Sequence, residues 1–293
     1  MKKRIAVLFH ENDRYINIRD YVIAFLADYW VKDGNEVTFV FGTQKFVPAN
    51  IAILHVNLSV VPDEYLEFAK HYPIVLNGRI KDIRKSAFSR RLLARDDPYQ
   101  GKVIVKTDLN SAGGPERYLN RSHSLLMLSG YVPKQVRSLI SRHILRTSFG
   151  PLRIQTSTDY HIYDSLREVP RSCFDDPALV VEEFLPEREK GLYCMRIFNF
   201  LGDRSNCIRV KSAHPIVKWS NWDAGDVQVI EPHPDVVNFR NSLGLDYGKL
   251  DYVVHDGEAI ILDVNKTMGI GTSTNVKEMR AHRAAGIYSY FVK

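Results

Sequence analysis

The chain has 293 residues, 45% hydrophobic and 25% charged, the balance of a globular protein and not of a disordered, collagen-like or coiled-coil chain. Its longest apolar runs, such as Ile51-Ala52-Ile53-Leu54, fall far short of the roughly 18 residues that cross a bilayer, and the length suggests about two domains. The net charge of +6 is uneven: residues 79–153 hold 16 Lys or Arg against 5 Asp or Glu, so this middle stretch reads as a nucleic-acid surface, a site for nucleotide phosphates or an anionic substrate, or a solvated helix face.

In chain order, the basic start followed by Ile5–Phe9 and then acids reads as a first strand, Arg4–Phe9, and not as a signal peptide. Tyr15–Val31 is predicted as a helix with Ile18, Tyr21, Val22, Phe25, Leu26 and Tyr29 on one face, ended by Asp33-Gly34-Asn35. Strands follow at Glu36–Phe41 and Ile51–Val56. Pro62 opens a helix through His71, and Ile74–Leu76 is a short strand. This order implies a small parallel sheet with helices on its faces. A GxGxxG is missing after the first strand, which argues against a dinucleotide site there. His10 and Glu11 follow that strand, where an α/β sheet tends to place ligands, and are candidate substrate contacts.

Residues 80–95 form a basic, helical stretch, and Lys102–Lys106 is a strand running into the loop Asn110-Ser111-Ala112-Gly113-Gly114-Pro115. A helix is expected over Lys134–Arg146 and strands over Leu179–Phe184, Met195–Leu201 and Cys207–Lys211. Leu250–Val254 and Ala259–Val264 read as a hairpin about Asp256-Gly257. Cys173, Cys194 and Cys207 have no CxxC spacing, which argues against a disulfide framework and a cysteine zinc site; a reducing cytoplasm is the default expectation.

The hairpin carries the most chemistry. A three-residue loop, Asp256-Gly257-Glu258, pairs His255 with Ala259 and brings Asp251 opposite Asp263, with Asn265 on the same face. Two opposed carboxylates repel and call for a cation, and with an Asn carbonyl they suit Mg²⁺. A two-residue loop instead shifts the register and splays the acids. Upstream, Lys106 ends a strand before a glycine loop, where it can reach a phosphate as a point charge. In Leu179-Val-Val-Glu-Glu-Phe-Leu-Pro-Glu187, Pro186 ends a strand beside backbone groups able to read an adenine edge. Arg196, inside an apolar strand, wants an anion.

This order of strand lysine, glycine loop, Val-Val-Glu-Glu-Phe-Leu, Arg-Ile-Phe-Asn-Phe-Leu-Gly-Asp and Leu-Asp-Tyr-Val-Val with Leu-Asp-Val-Asn resembles the ATP-grasp superfamily over about residues 80–280. Glutathione synthetase and D-alanine–D-alanine ligase are of that type. The resemblance implies an α/β (α+β) protein: an ATP-grasp domain at 79–293, with nucleotide between two subdomains, preceded by an α/β domain with a parallel sheet at 1–78. It implies Lys106 on the α- or β-phosphate, Lys85 as a second nucleotide lysine, and Gly113 and Gly114 over the triphosphate. Glu182, Glu183, Phe184 and Leu185 would form the adenine linker, with Glu187, or its rival Glu189, on the ribose. Arg196 would contact the γ-phosphate or an acyl-phosphate, and Arg209 or Lys211, with Asn221, would face the reacting groups. Asp251, Asp263 and Asn265 look like the metal-ligand trio; Glu is commoner where Asp263 stands.

The activity so implied is ATP- and Mg²⁺-dependent (or Mn²⁺-dependent) ligation of a small-molecule or peptide carboxylate to an amine through an acyl-phosphate. A kinase or phosphotransferase on the same fold and a basic nucleic-acid-binding protein are the competing classes. Aromatics in the basic stretch are too dispersed for a stacking platform, so a nucleic-acid partner is disfavoured. A membrane partner is not expected. Segment 117–178 is read as shaping the substrate entrance or a homodimer contact.

Overall fold

The structure, a computed structural model, describes residues 2–120, 152, 154–223, 225–270 and 276–291. These fall into two compact units, Met1–Lys81 with Pro186–Lys293, and Asp82–Leu185. The helix expected over Lys134–Arg146, and much of segment 117–178, lie outside the described residues.

In the first unit, β1 (Arg4–Phe9), β2 (Glu36–Phe41), β3 (Ile51–Leu54) and β4 (Val75–Leu76) form a parallel sheet in the order β2-β1-β3-β4. Helices α1 (Val22–Lys32) and α2 (Asp63–Ala69) lie between the strands in sequence, as expected of β-α-β units. Ile23, Leu26 and Trp30 of α1 are fully buried in one core with Ile5, Val7 and Phe9 of β1, each worth roughly 1.5–3 kcal/mol relative to exposure. The helix expected to begin at Tyr15 begins only at Val22. Two 3₁₀ turns, Glu11–Tyr15 and Ile18–Asp20, come first. Tyr21 is held extended in a bridge to Gly269, and the Val22 N–H donates to Met268 O at 2.8 Å. Long-range pairing takes the backbone groups that a longer helix needs.

The second unit is built on β5 (Val103–Thr107), β6 (His161–Tyr163) and β7 (Leu179–Glu183), antiparallel in the order β6-β5-β7, with the short helices α3 (Lys85–Phe88), α4 (Gly114–Leu119) and α5 (Arg171–Asp175). Stretch 80–95 is helical only in α3, which corrects the sequence expectation. Asp108 takes the Ser86 N–H, and the Leu93 N–H donates to Val181 O while Arg91 O accepts from the Glu183 N–H. Residues 91–93 therefore extend along β7 as an edge.

Back in the first unit, β8 (Glu187–Glu189), β9 (Leu192–Leu201), β10 (Arg204–Ser212), β11 (Gln228–Ile230), β12 (Tyr247–His255) and β13 (Glu258–Asn265) form an antiparallel sheet. The order is β11-β10-β9-β12-β13, with β8 on β9. Helix α6 (Pro234–Leu243) precedes β12, and α7 (Val276–Ala284) follows β13. The Trp30 Nε1–H donates to Ala284 O at 2.8 Å, so α7 closes the same core as α1.

The hairpin turn has two residues, Asp256-Gly257, not three: His255 pairs with Glu258 and Val253 with Ile260. A bulge between Asp251 and Tyr252 in the pairing then adds one residue on β13, at Leu262. It restores Asp251 opposite Asp263. The expected juxtaposition of acids is present, by a different route.

Candidate active site

In the second unit, Lys106 projects from the buried strand β5 and is 7% exposed. Its Nζ lies 2.5 Å from Glu182 Oε2 on β7. Glu182 is thus the partner of the strand lysine and not a free linker residue. Glu183 pairs with Arg91 at 3.3 Å, and the N–H groups of Glu183 and Phe184 donate to Arg91 O and Lys102 O. Those two donors are unavailable to an adenine edge in this conformation, and Leu185 closes the segment. Lys85 is buried, with Nζ 3.1 Å from Leu109 O. Ser111, Ala112 and Gly113 are successively left-handed (φ 49°, 54° and 67°), and Gly114 begins α4. Left-handed backbone costs roughly 1–2 kcal/mol per non-glycine residue, a strain that tends to persist at functional turns.

In the first unit, Glu187 is the hub of a charge network. Its carboxylate accepts from Arg196 Nε at 2.9 Å, Arg196 Nη2 at 3.1 Å, Arg209 Nε at 2.8 Å and the Val254 N–H at 2.9 Å. Glu189 takes Arg209 Nη1 and Lys211 Nζ, the latter at 2.9 Å, and Lys211 also meets Asp226 at 3.1 Å. Hydrogen bonds from Arg209, then Lys211, pull the Glu189 carboxyl down to about 2. Burial works against the Arg196 and Arg209 cations, but the glutamates outweigh it and both are held above their ordinary range. Glu187, expected on a ribose, is occupied in fixing two arginines. Asn221 is also occupied: Oδ1 accepts from the Lys218 N–H at 2.8 Å and Nδ2 donates to Ile216 O at 2.9 Å. It ties its own loop.

Residues directly opposite on antiparallel strands share a sheet face. Asn206, Asn199, Lys249 and Asn265 form one row across β10, β9, β12 and β13, and Ile208, Ile197, Asp251 and Asp263 form the next. Arg209 and Tyr252 both lie opposite Arg196, and the three project from the other face. The structure therefore brings the expected metal residues together and separates them from the expected catalytic arginines.

Lys249 is the residue that sequence reasoning missed. Its Nζ sits 3.0 and 2.7 Å from the two carboxylate oxygens of Asp251, which is 5% exposed. Burial opposes its charge, yet Asp251 and Asp263 hold its pKa above the ordinary lysine value. The cation demanded by two opposed acids is, in this structure, a lysine. The signal was available: Lys249-Leu250-Asp251 alternates onto one face. Asn265 Oδ1 accepts from the Thr267 N–H at 2.8 Å, so its carbonyl is engaged locally. His10 caps the turn after β1, accepting from the Asn12 N–H, and the Glu11 N–H donates to the Tyr65 hydroxyl. Asp13 nearby is fully buried, and burial pushes its carboxyl up to about 7.

The architecture is a parallel α/β sheet followed by a small and a large antiparallel sheet. No protein-family model and no curated protein matches the chain. Among solved structures it is similar to D-alanine–D-alanine ligase from Bacillus anthracis, at 13% identity and a TM-score of 0.42, and to the same protein complexed with ATP, at 13% and 0.41. It is also similar to a RimK domain ATP-grasp protein from Sphaerobacter thermophilus, at 12% and 0.44. Each likeness covers 99% of both chains. Similarity this distant says nothing of activity, and the site rests on its own side chains.

Proposed function

We propose that the chain is an ATP-dependent carboxylate–amine ligase of the ATP-grasp kind. The observation that supports this most is the face of the antiparallel sheet on which Asp251 and Asp263 are opposed beside Lys249 and Asn265. Hard carboxylate oxygens on neighbouring strands fit one Mg²⁺, which is commonly held by one or two carboxylates plus substrate phosphates. Among the described residues no group of three His, Cys, Asp or Glu side chains could hold a metal. Asp251 and Asp263 are therefore the protein ligands in this reading, with Asn265 kept for the turn. The ion, when bound, supplies neutralisation of phosphate charge.

The chain's own groups do the rest. Lys249 exchanges Asp251 for an anionic oxygen of the ligand, and Lys106 exchanges Glu182 for a nucleotide phosphate. The substrate carboxylate attacks the γ-phosphorus, releasing ADP and leaving an acyl-phosphate. The amine then attacks the carbonyl carbon, phosphate departs with the C–O electron pair, and the nitrogen gives up one proton to the departing phosphate. Positioning and cation placement suffice for such a transfer, so no dedicated nucleophile is needed. Arg196 and Arg209 hold β8 through Glu187 and are not assigned to the transferred phosphoryl group. The test is release of ADP and inorganic phosphate across a panel of carboxylates and amines. Release that requires both partners is the ligase result; a phosphorylated product that persists without an amine is the kinase result and overturns the reading.

A further inference from the structure

On α7, Arg283 is 6% exposed and its Nη2 donates to Asn206 Oδ1 at 2.7 Å. Nη1 lies 4.0 Å from Met268 Sδ, and Nε is buried without a hydrogen-bond partner. Arg280, one turn earlier, lies with its guanidinium carbon 4.4 Å from the Phe25 ring centroid, and its Nε is likewise buried without a partner. The Tyr247 hydroxyl, also buried and without a partner, belongs to the sheet face that carries Asn206 and Lys249. Burial lowers the Arg283 pKa to about 10; Tyr247 opposes the shift and the like charge of Arg280 adds to it.

Among the described residues no carboxylate answers these two charges: neither arginine forms an ion pair with Asp or Glu. A guanidinium does not discharge near neutral pH, and a buried charge without a counter-charge is costly. The negative end of α7, which finishes at Ala284, offsets only part of that cost. The row Asn206–Asn199–Lys249–Asn265 runs from the Arg283 contact to the acid pair, so amide and ammonium groups continue the same polar strip.

We propose that Arg280 and Arg283 form an oxyanion subsite on the sheet face that carries the acid pair, taking a carboxylate or phosphate group. The planar guanidinium fork matches both anions. The subsite does not depend on ATP use and extends the candidate site toward an acidic ligand.

The test is thermal melting in sodium phosphate, in sodium acetate and in sodium chloride at matched ionic strength, on the wild type, Arg283→Met and Arg280→Met. At about 50 mM, one oxyanion should raise the wild-type Tm by roughly 2 °C or more over chloride. A response to phosphate alone assigns a phosphate, to acetate alone a carboxylate; either supports the subsite. Arg283→Met should lose the response while melting no lower than the wild type in chloride, because an apolar chain of similar length replaces an unanswered charge. Arg280→Met should weaken the response. A wild type indifferent to both anions, or a response intact in both variants, overturns the subsite. So does an Arg283→Met that melts well below an anion-insensitive wild type, which makes the residue a structural strut. An ATP-analogue titration on the same preparations separates failure here from failure of the nucleotide reading.

Discussion

Replacing Glu187 with Ala separates two roles for one carboxylate. As a ribose contact, it can be removed at the cost of nucleotide affinity alone. As the hub seen here, 7% exposed and accepting from Arg196, Arg209 and the Val254 N–H, it cannot be removed without leaving cations unanswered. Breaking a buried ion pair by deleting one partner typically costs ~3–5 kcal/mol. Arg209 keeps Glu189, and the Arg196 side chain is 23% exposed, so the low end applies, about 3 kcal/mol. At ~2–4 °C per kcal/mol the Tm should fall by roughly 6–12 °C. Glu189→Ala, at a more exposed position, should lower the Tm far less. Calorimetric melting of both variants, with ATP-analogue titration of each, makes the measurement. A Glu187→Ala protein that melts like the wild type but binds the analogue tenfold more weakly would refute the hub.

Three further outcomes follow from the same geometry. Asp13, raised to about 7 by burial, is stabilising while protonated: its contribution is complete below the ordinary carboxyl pKa and is lost as pH rises through about 7. Asp13→Asn, which stays neutral, should therefore gain stability relative to the wild type between about pH 4 and 7; parallel Tm–pH curves would show that the buried acid does not contribute. Lys249→Met should strengthen Mn²⁺ binding by about tenfold or more, ~1.4 kcal/mol, because the ammonium no longer competes for Asp251; calorimetric titration with Mn²⁺ reads it, and an unchanged affinity contradicts the competition. Lys106→Met alone strands the buried Glu182, so the informative variant is Lys106→Met with Glu182→Gln, which should melt near the wild type and lose at least about tenfold in ATP-analogue affinity.

Local pattern was enough for β1 and β2, whose ends match the apolar runs, and for the Asp251–Asp263 pairing. That pairing shows how a correct residue contact can arise from a wrong intermediate step. The loop is one residue shorter than the three-residue reading, and the bulge at Leu262 compensates. Nothing in the apolar run Ile260-Ile261-Leu262 marks which residue is extra. The start of α1 was not legible because what stops it is Met268 and Gly269, far along the chain. The role of Glu187 was hidden for the same reason: its partners at 196, 209 and 254 come together only when β8, β9, β10 and β12 are assembled. Lys249 was within reach, since strand alternation alone sets it on the face of Asp251.

The central claim is that the opposed acids Asp251 and Asp263 are the metal side of a nucleotide site. Calorimetric titration with a non-hydrolysable ATP analogue, with and without Mg²⁺, tests it most directly, using Asp263→Ala as the comparison. The expected result is binding by the wild type that Mg²⁺ strengthens, with the strengthening lost in Asp263→Ala. Absence of binding under both conditions, or binding indifferent to Mg²⁺ and to Asp263, would contradict it.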